Sequence, residues 1–308
     1  MKKIHFLSLI VILLCISLTG CKSSDYKEAV SLEEAGEYSA ALAIFEELSD
    51  YKDSANRIIS CKAMIAAIDE YEAAKSNVEQ KNASLDAEIS EAENTISEGK
   101  TPLDNALIPA LETVISETKA VKATIPEMPS TVDEINEVVS KLNSVNYDVA
   151  IERLRSQKET LETSIKQYSL VNAPSEAYVI QCLSKVPNVA DISAVTEDND
   201  PNGNLNKAGG YTAQVYFSSD LVNQASVYGN SIIEKGTDCG GSIEVYPNAS
   251  DAEKRNDYLA SFDGSIFASG SHTVVGTVLV RTSDELTASQ QKALEANIIA
   301  ELTNIENY

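Results

Sequence analysis

Acidic and amide side chains alternate along residues 197–203, and their types and spacing could bind a metal ion. Asp198, Asp200 and Asn202 occupy every second position, and Gly203 follows directly. Carboxylate and amide oxygens are the ligands that a hard cation such as Ca²⁺ prefers. The segment therefore predicts a candidate calcium site with Asp198, Asp200 and Asn202 as ligands.

This spacing resembles the first half of an EF-hand calcium loop, where oxygen ligands stand at positions one, three and five and glycine at position six. Position twelve is Gly209, whereas an EF-hand has a bidentate glutamate there. A carboxylate elsewhere, from Glu197 or Asp238, could supply the missing ligand. The alternative interpretation is a solvated turn, because Asp, Asn, Pro and Gly are common turn residues.

Two glycine pairs, Gly209-Gly210 and Gly240-Gly241, each directly precede a predicted strand, and Asp238 lies beside the second pair. Glycine allows close approach of the backbone to a ligand. One interpretation is a ligand-binding groove lined by these five residues. The other is a pair of plain connections between elements.

The remaining candidates for chemistry are few. Arg255 and Arg281 could bind an anionic ligand, or they could form salt bridges. Ser271 precedes His272, but no nucleophile-elbow motif surrounds it. Histidine is the usual residue for proton transfer near neutral pH, and the chain has only two. We therefore expect no catalytic residues and a non-enzymatic protein.

The N-terminus has the features of a secretory signal. Lys2 and Lys3 precede an apolar run over 6–18, and Leu-Thr-Gly-Cys follows at 18–21. This order resembles the lipobox of bacterial lipoprotein precursors. The resemblance implies that residues 1–20 are a signal peptide, that the chain is cut just before Cys21, and that the Cys21 sulfur receives a diacylglycerol carrying acyl chains such as palmitate.

The alternatives are an ordinary secretory signal with a chance cysteine, or an uncleaved anchor. The apolar run is shorter than the roughly 20 residues that a membrane-spanning helix needs, which favours a removed signal. The resemblance places the protein on the extracytoplasmic face of the cell membrane. Cys21 would be its contact with the membrane.

The chain has a net charge of −23, and loss of Lys2 and Lys3 makes it more acidic. Nucleic-acid binding needs a basic surface, so we expect no nucleic-acid partner. After lipidation of Cys21, three cysteines remain: Cys61, Cys182 and Cys239. Cys182 and Cys239 could form a disulfide, and buried free thiols are the alternative.

Residues 21–62 are predicted to form a short helical unit. The motif Gly-x-Tyr-x-x-Ala-x-x-x-Phe at 36–45 resembles the middle of a tetratricopeptide repeat, with Ala29 and Leu48 in the flanking positions. Stacked repeats generally need about three units to be stable. We therefore expect this single unit to pack on the helices that follow.

Residues 54–170 are predicted to form an elongated antiparallel helical hairpin or three-helix coiled coil. A heptad seam, interrupted by Lys75 and Asn82, runs along a first helix over 54–98. A second helix is predicted to start at Pro102 with Thr101 as its cap. The last one is predicted to run from a Thr131 capping box to about residue 169. This region would be a spacer; a compact bundle is the alternative.

Residues 174–308 are predicted to form an α+β domain with the element order α-β-β-α-β-α-β-α and one four-stranded sheet. The predicted strands cover 189–195, 211–217, 242–246 and 273–281. Helices are predicted over 220–234, from a Ser250 cap to about 262, and from a Thr287 cap to about 303. Four stretches of this region (194–203, 207–217, 232–264 and 272–295) resemble a domain of predicted lipoproteins of Gram-positive bacteria. That family has no assigned activity, so the resemblance implies location and no site residue.

The sequence as a whole predicts a lipid-anchored cell-surface protein whose helical stalk displays a C-terminal ligand- or protein-binding domain. One alternative is a structural or assembly factor that binds a protein partner, or a second copy of itself, through the coiled-coil region. Another is a metal-assisted hydrolase acting through the 197–241 loops. No cofactor is expected apart from the candidate Ca²⁺.

Overall fold

The computed structural model describes residues 21–265 and 270–307. The predicted signal peptide, residues 1–20, lies outside this range. The predicted α+β class is confirmed, because a large helical region precedes an antiparallel sheet. Contacts divide the chain into two compact units: one ends at Leu85 and also includes Lys122–Tyr147, and the other comprises Asp86–Val121 and Asp148–Tyr308.

Six helices make up the helical region. Their bounds are α1 Lys22–Glu34, α2 Tyr38–Leu48, α3 Ser54–Ser97, α4 Leu107–Ala120, α5 Val132–Asn143 and α6 Asp148–Val171. In the first unit, α1 and α2 form a hairpin, and Gly36 takes a positive φ at the turn between them. Ala41 and Phe45 of α2 are fully buried against Ala29 of α1, as the tetratricopeptide-like motif predicts.

The first part of α3 packs against α5. Tyr71 and Val78 of α3 are buried with Ile135 and Leu142 of α5. The Thr131 side chain accepts a hydrogen bond from the Glu134 amide and so caps α5, as predicted. The apolar seam of this part of α3 is thus covered within the first unit.

The prediction of one continuous last helix is wrong, because the helix is interrupted between Asn143 at the end of α5 and Asp148 at the start of α6. The Tyr147 hydroxyl donates to Asn82 Oδ1 over 2.6 Å and accepts from the Ala123 amide over 2.8 Å. Asn82 Nδ2 in turn donates to the Ala123 carbonyl over 3.1 Å. The non-helical backbone before α6 lets the Tyr147 side chain bond both Asn82 on α3 and Ala123, which follows α4.

The predicted helix start at Pro102 is also wrong, because α4 begins five residues later at Leu107. The Leu103 and Asp104 amides donate instead to the carbonyl and hydroxyl oxygens of Ser164 on α6, both over 3.0 Å. These bonds hold the segment against α6. The tertiary contact with Ser164 therefore outweighs the local capping signal of Thr101 and Pro102.

Among the described residues after Val171, the second unit has five strands and four α-helices, with short 3-10 helices at Gly236–Cys239 and Ile305–Asn307. Their bounds are α7 Glu176–Leu183, β1 Val189–Ala194, β2 Ala213–Ser219, α8 Ile232–Lys235, β3 Gly240–Val245, α9 Ala249–Ala260, β4 His272–Val275, β5 Val278–Thr282 and α10 Ala288–Leu302. The strand order is β1-β2-β3-β5-β4, and every neighbouring pair is antiparallel.

The two faces of this sheet differ. One face is apolar: Val215, Phe217 and Ile243 are fully buried with α7 and α10. The other face lies under α9, whose Ala252 and Leu259 are buried beside it. Side chains alternate between the faces along each strand, so each strand contributes to both layers.

The sheet has five strands rather than four, because the predicted strand 273–281 folds into a hairpin. Val275 pairs with Val278, and Gly276 and Thr277 form the turn between them. Gly276 takes a φ of 62° while Thr277 does not take a positive φ. This is the pattern of a type II′ turn, which favours glycine at its first central position.

Two further local predictions are corrected. The helix predicted over 220–234 is a loop that ends in the short α8, since Gln224 Nε2 donates to the Cys239 carbonyl over 2.7 Å and Lys235 Nζ donates to the Gln224 carbonyl over 2.9 Å. Asn248, and not Ser250, caps α9 by accepting from the Asp251 amide.

We expect Gly276→Ala to destabilise the second unit by more than about 2 kcal/mol, because a left-handed φ costs a non-glycine residue roughly 1–2 kcal/mol and the new Cβ would lie 2.5 Å from the Val171 carbonyl oxygen. Gly264→Ala is the matched control, since Gly264 has a similar φ and no neighbour within 4 Å of its Cβ position. Urea unfolding measures both losses. Equal losses would contradict a steric role for the Val171 contact.

Candidate functional site

The candidate site lies on the sheet face under α9, where polar and charged side chains are buried together. Gln214, Tyr216, Ser242, Glu244 and Arg281 occupy this face on adjacent strands and are each less than a tenth exposed. Such groups are rarely buried unless they are paired. The face therefore needs an internal network of hydrogen bonds and ion pairs.

Glu244 on β3 is the centre of this network. Its side chain is fully buried; Oε1 accepts from Arg281 Nη1 over 3.1 Å, and Oε2 accepts from Arg255 Nε over 3.2 Å and from the Tyr246 hydroxyl over 2.6 Å. We call Glu244, Tyr246, Arg255 and Arg281 the Glu244 cluster. Arg255 and Arg281 therefore form salt bridges, which is the second of the two roles that the sequence suggested for them.

The charge states of the cluster follow from its surroundings. Desolvation and the adjacent Glu244 carboxylate raise the pKa of the Tyr246 hydroxyl. Desolvation alone would lower the pKa of Arg255, but attraction to Glu244 outweighs it and the net pKa is raised. Tyr246 therefore stays neutral and Arg255 stays charged across the physiological range.

Ser242 is the point at which the network is incomplete. Its hydroxyl is fully buried and has no hydrogen-bond partner among residues 21–265 and 270–307. The strand register places it between Tyr216 on β2 and Arg281 on β5. A buried hydroxyl in this position fits a water molecule or the polar atom of a small ligand.

Asp200 holds the predicted calcium loop together, and Asn202 of the same loop contacts Gln214 of this network. Asp200 Oδ1 accepts from the Asn202 amide over 2.9 Å and from the Tyr211 hydroxyl, and Oδ2 accepts from the Leu205 amide over 2.7 Å. Desolvation would raise the Asp200 pKa, but the bonds from Tyr211 and the backbone amides lower it below the ordinary value. Asp200 thus holds the loop as a charged carboxylate.

The other predicted ligands of this loop are placed differently. Asp198 and Glu197 are exposed, and Asn206 Nδ2 donates to Glu197 Oε1 over 3.3 Å. Asn202 Nδ2 lies 3.4 Å from the Tyr211 hydroxyl oxygen and 3.5 Å from Gln214 Oε1. Within the described ranges, no group of three His, Cys, Asp or Glu side chains is arranged to hold a metal. The calcium site stays a prediction.

The structure does not bring the two glycine pairs together. Gly210 leads into the end of β2 where Ala213 pairs with Val245, whereas Gly240 pairs with Ser218 at the other end. A Cβ on Gly210 would lie 2.0 Å from the Asn204 carbonyl oxygen.

The second pair is equally confined by its neighbours. A Cβ on Gly241 would lie 2.3 Å from both the Arg281 carbonyl oxygen and the Phe217 ring. Asp238 is exposed beside this pair, and Gly209 takes a positive φ beside the first. Close packing of backbone explains Gly210 and Gly241, and the five residues line no common groove.

Cys182 and Cys239 are free thiols and do not pair. The Cys239 thiol is fully buried and donates to the Gly236 carbonyl over 3.1 Å, and burial raises its pKa to about 11. Cys182 lies on α7 in the apolar core, where burial also raises its pKa. Both are therefore poor nucleophiles.

Ser271 and His272 point to opposite faces of the sheet. The Ser271 hydroxyl donates to Glu295 Oε2 over 2.8 Å on the α10 side. His272 Nδ1 lies 2.7 Å from Asn256 Oδ1 of α9, and Nε2 lies 3.2 Å from Asp263 Oδ1. These two residues form no nucleophile–base pair.

Sequence reasoning missed one exposed feature, the Tyr228 loop, which comprises residues 225–234. Residues 225–230 and Glu234 of this loop line an open surface pocket of about 660 Å³, and Tyr228 is 97% exposed. The bonds of Gln224 and Lys235 described above fix the two ends of the loop. Gly229 and Asn230 directly after Tyr228 are turn formers, a signal that the helical prediction overlooked.

No protein-family model, curated protein or solved structure matches this chain. In the Glu244 cluster one buried carboxylate pairs with two arginines and a tyrosine hydroxyl, and the Tyr228 loop presents an exposed aromatic ring.

We expect Glu244→Gln to destabilise the protein by about 3 kcal/mol or more, because two arginines would then share one buried site without a counter-charge. Glu98→Gln is the matched control: Glu98 pairs with Lys100 at the surface, and such pairs contribute about 1 kcal/mol or less. Urea unfolding measures both. A loss for Glu244→Gln as small as that of the control would contradict the proposed role of the cluster.

We expect about 10 mM CaCl₂ to leave the melting temperature unchanged, because the Asp200 oxygens already accept three hydrogen bonds and an ion with a Kd near 1 mM would otherwise add about 1.4 kcal/mol. Thermal melting in CaCl₂ and in chelator tests this. A calcium-dependent rise that Asp198→Asn abolishes would establish the ion site instead.

Proposed function

We propose that this protein is a lipoprotein, attached through Cys21 to the extracytoplasmic face of the cell membrane, and that it acts there as a non-enzymatic binding protein. The observation that carries the proposal is the lipobox-like segment at 18–21, followed at once by a folded body. Cys21 is exposed and is a free cysteine. Its sulfur is therefore available for a thioether bond to a diacylglycerol.

Lipid attachment has a simple physical basis as a means of anchoring. No helix within residues 21–265 and 270–307 is long and apolar enough to cross a membrane. Two acyl chains hold a protein firmly at a bilayer, whereas one binds only marginally. A diacylglyceryl cysteine carries two.

A binding role is supported by the way the C-terminal domain uses its polar residues. In the Glu244 cluster the charged groups pair with one another, Cys182 and Cys239 are buried with raised pKa values, and Ser271 and His272 face apart. The Tyr228 loop, by contrast, presents an exposed aromatic ring between two ends that the Gln224 and Lys235 hydrogen bonds hold. Tyrosine is over-represented among the residues that dominate protein–protein binding energies.

The alternative of assembly through the helices is less well supported. The heptad residues of α3 that would form an intermolecular seam, including Tyr71 and Val78, are already buried against α5 in the same unit. A second copy would have to displace these contacts. A protein partner that binds the outer surface of the helices is compatible with the structure.

We expect Cys21→Ala to abolish incorporation of radiolabelled palmitate and to move the protein from the detergent phase to the aqueous phase on Triton X-114 partitioning. The reason is that no other residue can receive the diacylglyceryl group. Cys15→Ala, within the same predicted signal peptide, is the matched control and should keep both properties. Palmitate labelling of the Cys21→Ala variant would contradict the proposal.

We expect a photo-crosslinking benzoylphenylalanine at position 228 to give a crosslinked product of defined mass on intact cells. The same residue at position 258 is the control, because Tyr258 is also exposed (55%) but lies on α9 of the same domain and outside the Tyr228 loop. No product from position 228, or identical products from both positions, would contradict a binding role for the loop.

A further inference from the structure

The predicted lipid attachment site has no spacer between it and the folded body. Cys21 is the N-cap residue of α1, which begins at Lys22, and the Cys21 carbonyl already accepts from the Ser24 amide over 2.6 Å. A lipid on Cys21 therefore holds the first turn of α1 at the bilayer. The interfacial layer of a leaflet is roughly 5–8 Å thick, so the residues nearest Cys21 must lie in or against it.

A cluster of aromatic and basic side chains lies within this reach. Tyr26 is about 7.5 Å along the helix axis from Cys21, at 1.5 Å per residue. The Tyr51 ring contacts the Tyr26 ring edge to face, with 5.9 Å between centroids. Lys52 Nζ lies 4.1 Å from the Tyr26 centroid and 5.5 Å from the Tyr51 centroid. We call Tyr26, Tyr51 and Lys52 the Tyr26 cluster.

The nearest carboxylate does not prevent this cluster from approaching phosphate groups. Asp53 accepts from the Tyr26 hydroxyl and from Arg57 Nε, the latter over 3.0 Å, so its charge is matched locally. Lys52 and Lys22 are both exposed on this part of the unit. The cluster thus offers two tyrosine rings and the ammonium group of Lys52, and its neighbours in the chain include the carboxylates Asp25 and Asp50.

We propose that the Tyr26 cluster lies in the lipid headgroup layer and forms a membrane-facing surface of the first unit. The inference rests on the proposed lipidation of Cys21. Tyrosine favours the membrane–water interface, where its ring is apolar and its hydroxyl remains hydrated. Lysine extends its apolar stem along such a surface and keeps its ammonium group near phosphate oxygens. The acyl chains and the cluster together orient α1 at the bilayer.

The absence of tryptophan from the chain allows a direct test. Tyr51→Trp places the only indole in the Tyr26 cluster, and Tyr38→Trp places it at the far end of the α1–α2 hairpin, as a matched control. Each lipidated, signal-processed protein is reconstituted into vesicles of phosphatidylcholine brominated near the headgroup end of its acyl chains. We expect quenching and a blue shift of the emission for Tyr51→Trp and neither for Tyr38→Trp.

Two further variants keep the outcome decisive. Lys52→Trp reports from an exposed position, so it does not depend on packing beneath the Tyr26 ring. Cys21→Ser, combined with either reporter, should lose the quenching. If mass spectrometry shows the lipid on Cys21 and neither reporter is quenched, the membrane-facing surface is refuted while the proposed function stands. If Cys21 carries no lipid, the proposed function itself fails.

Discussion

The burial of Glu244 is the constraint on which the C-terminal domain most depends. A carboxylate with no solvent exposure costs several kcal/mol to desolvate unless cationic and hydrogen-bonding groups surround it. Arg281 on the neighbouring strand, Arg255 on α9 and the Tyr246 hydroxyl meet this requirement together. Because one of these partners comes from a helix, the same interaction fixes α9 on the sheet.

This constraint divides the sheet into two faces with different roles. The face under α7 and α10 is apolar and tolerates only shape-matched packing, whereas the face under α9 carries a network of specific polar contacts. Asn202 and Gln214 extend that network to the 198–203 loop. The loop that the sequence marks as a metal site is thus also part of the polar architecture of the domain. In the function that we propose, surface binding involves elements outside this network, above all the Tyr228 loop.

A similar principle operates in the helical region. Asn82 interrupts the heptad seam of α3, and in the structure its amide binds both Tyr147 and the Ala123 carbonyl. A partly buried amide of this kind favours one arrangement of neighbouring segments at some cost in apolar burial. The break between α5 and α6 follows from this contact, which joins residues more than sixty positions apart in the chain.

The features that could be predicted from the sequence are those that depend on residues close together in the chain. Short-range spacing predicted the helical class of the first half, the extent of α3, the cap of α5 at Thr131 and the cap of α10 at Thr287. The structure confirms each of these predictions. The lipobox-like segment is likewise a local pattern, and the location it implies stays a prediction. The hairpin at Gly276, the partners of Glu244 and the separation of the glycine pairs could not be predicted from the sequence and are seen only in the tertiary structure. These features depend on strand register and on contacts between distant segments, which no local spacing encodes.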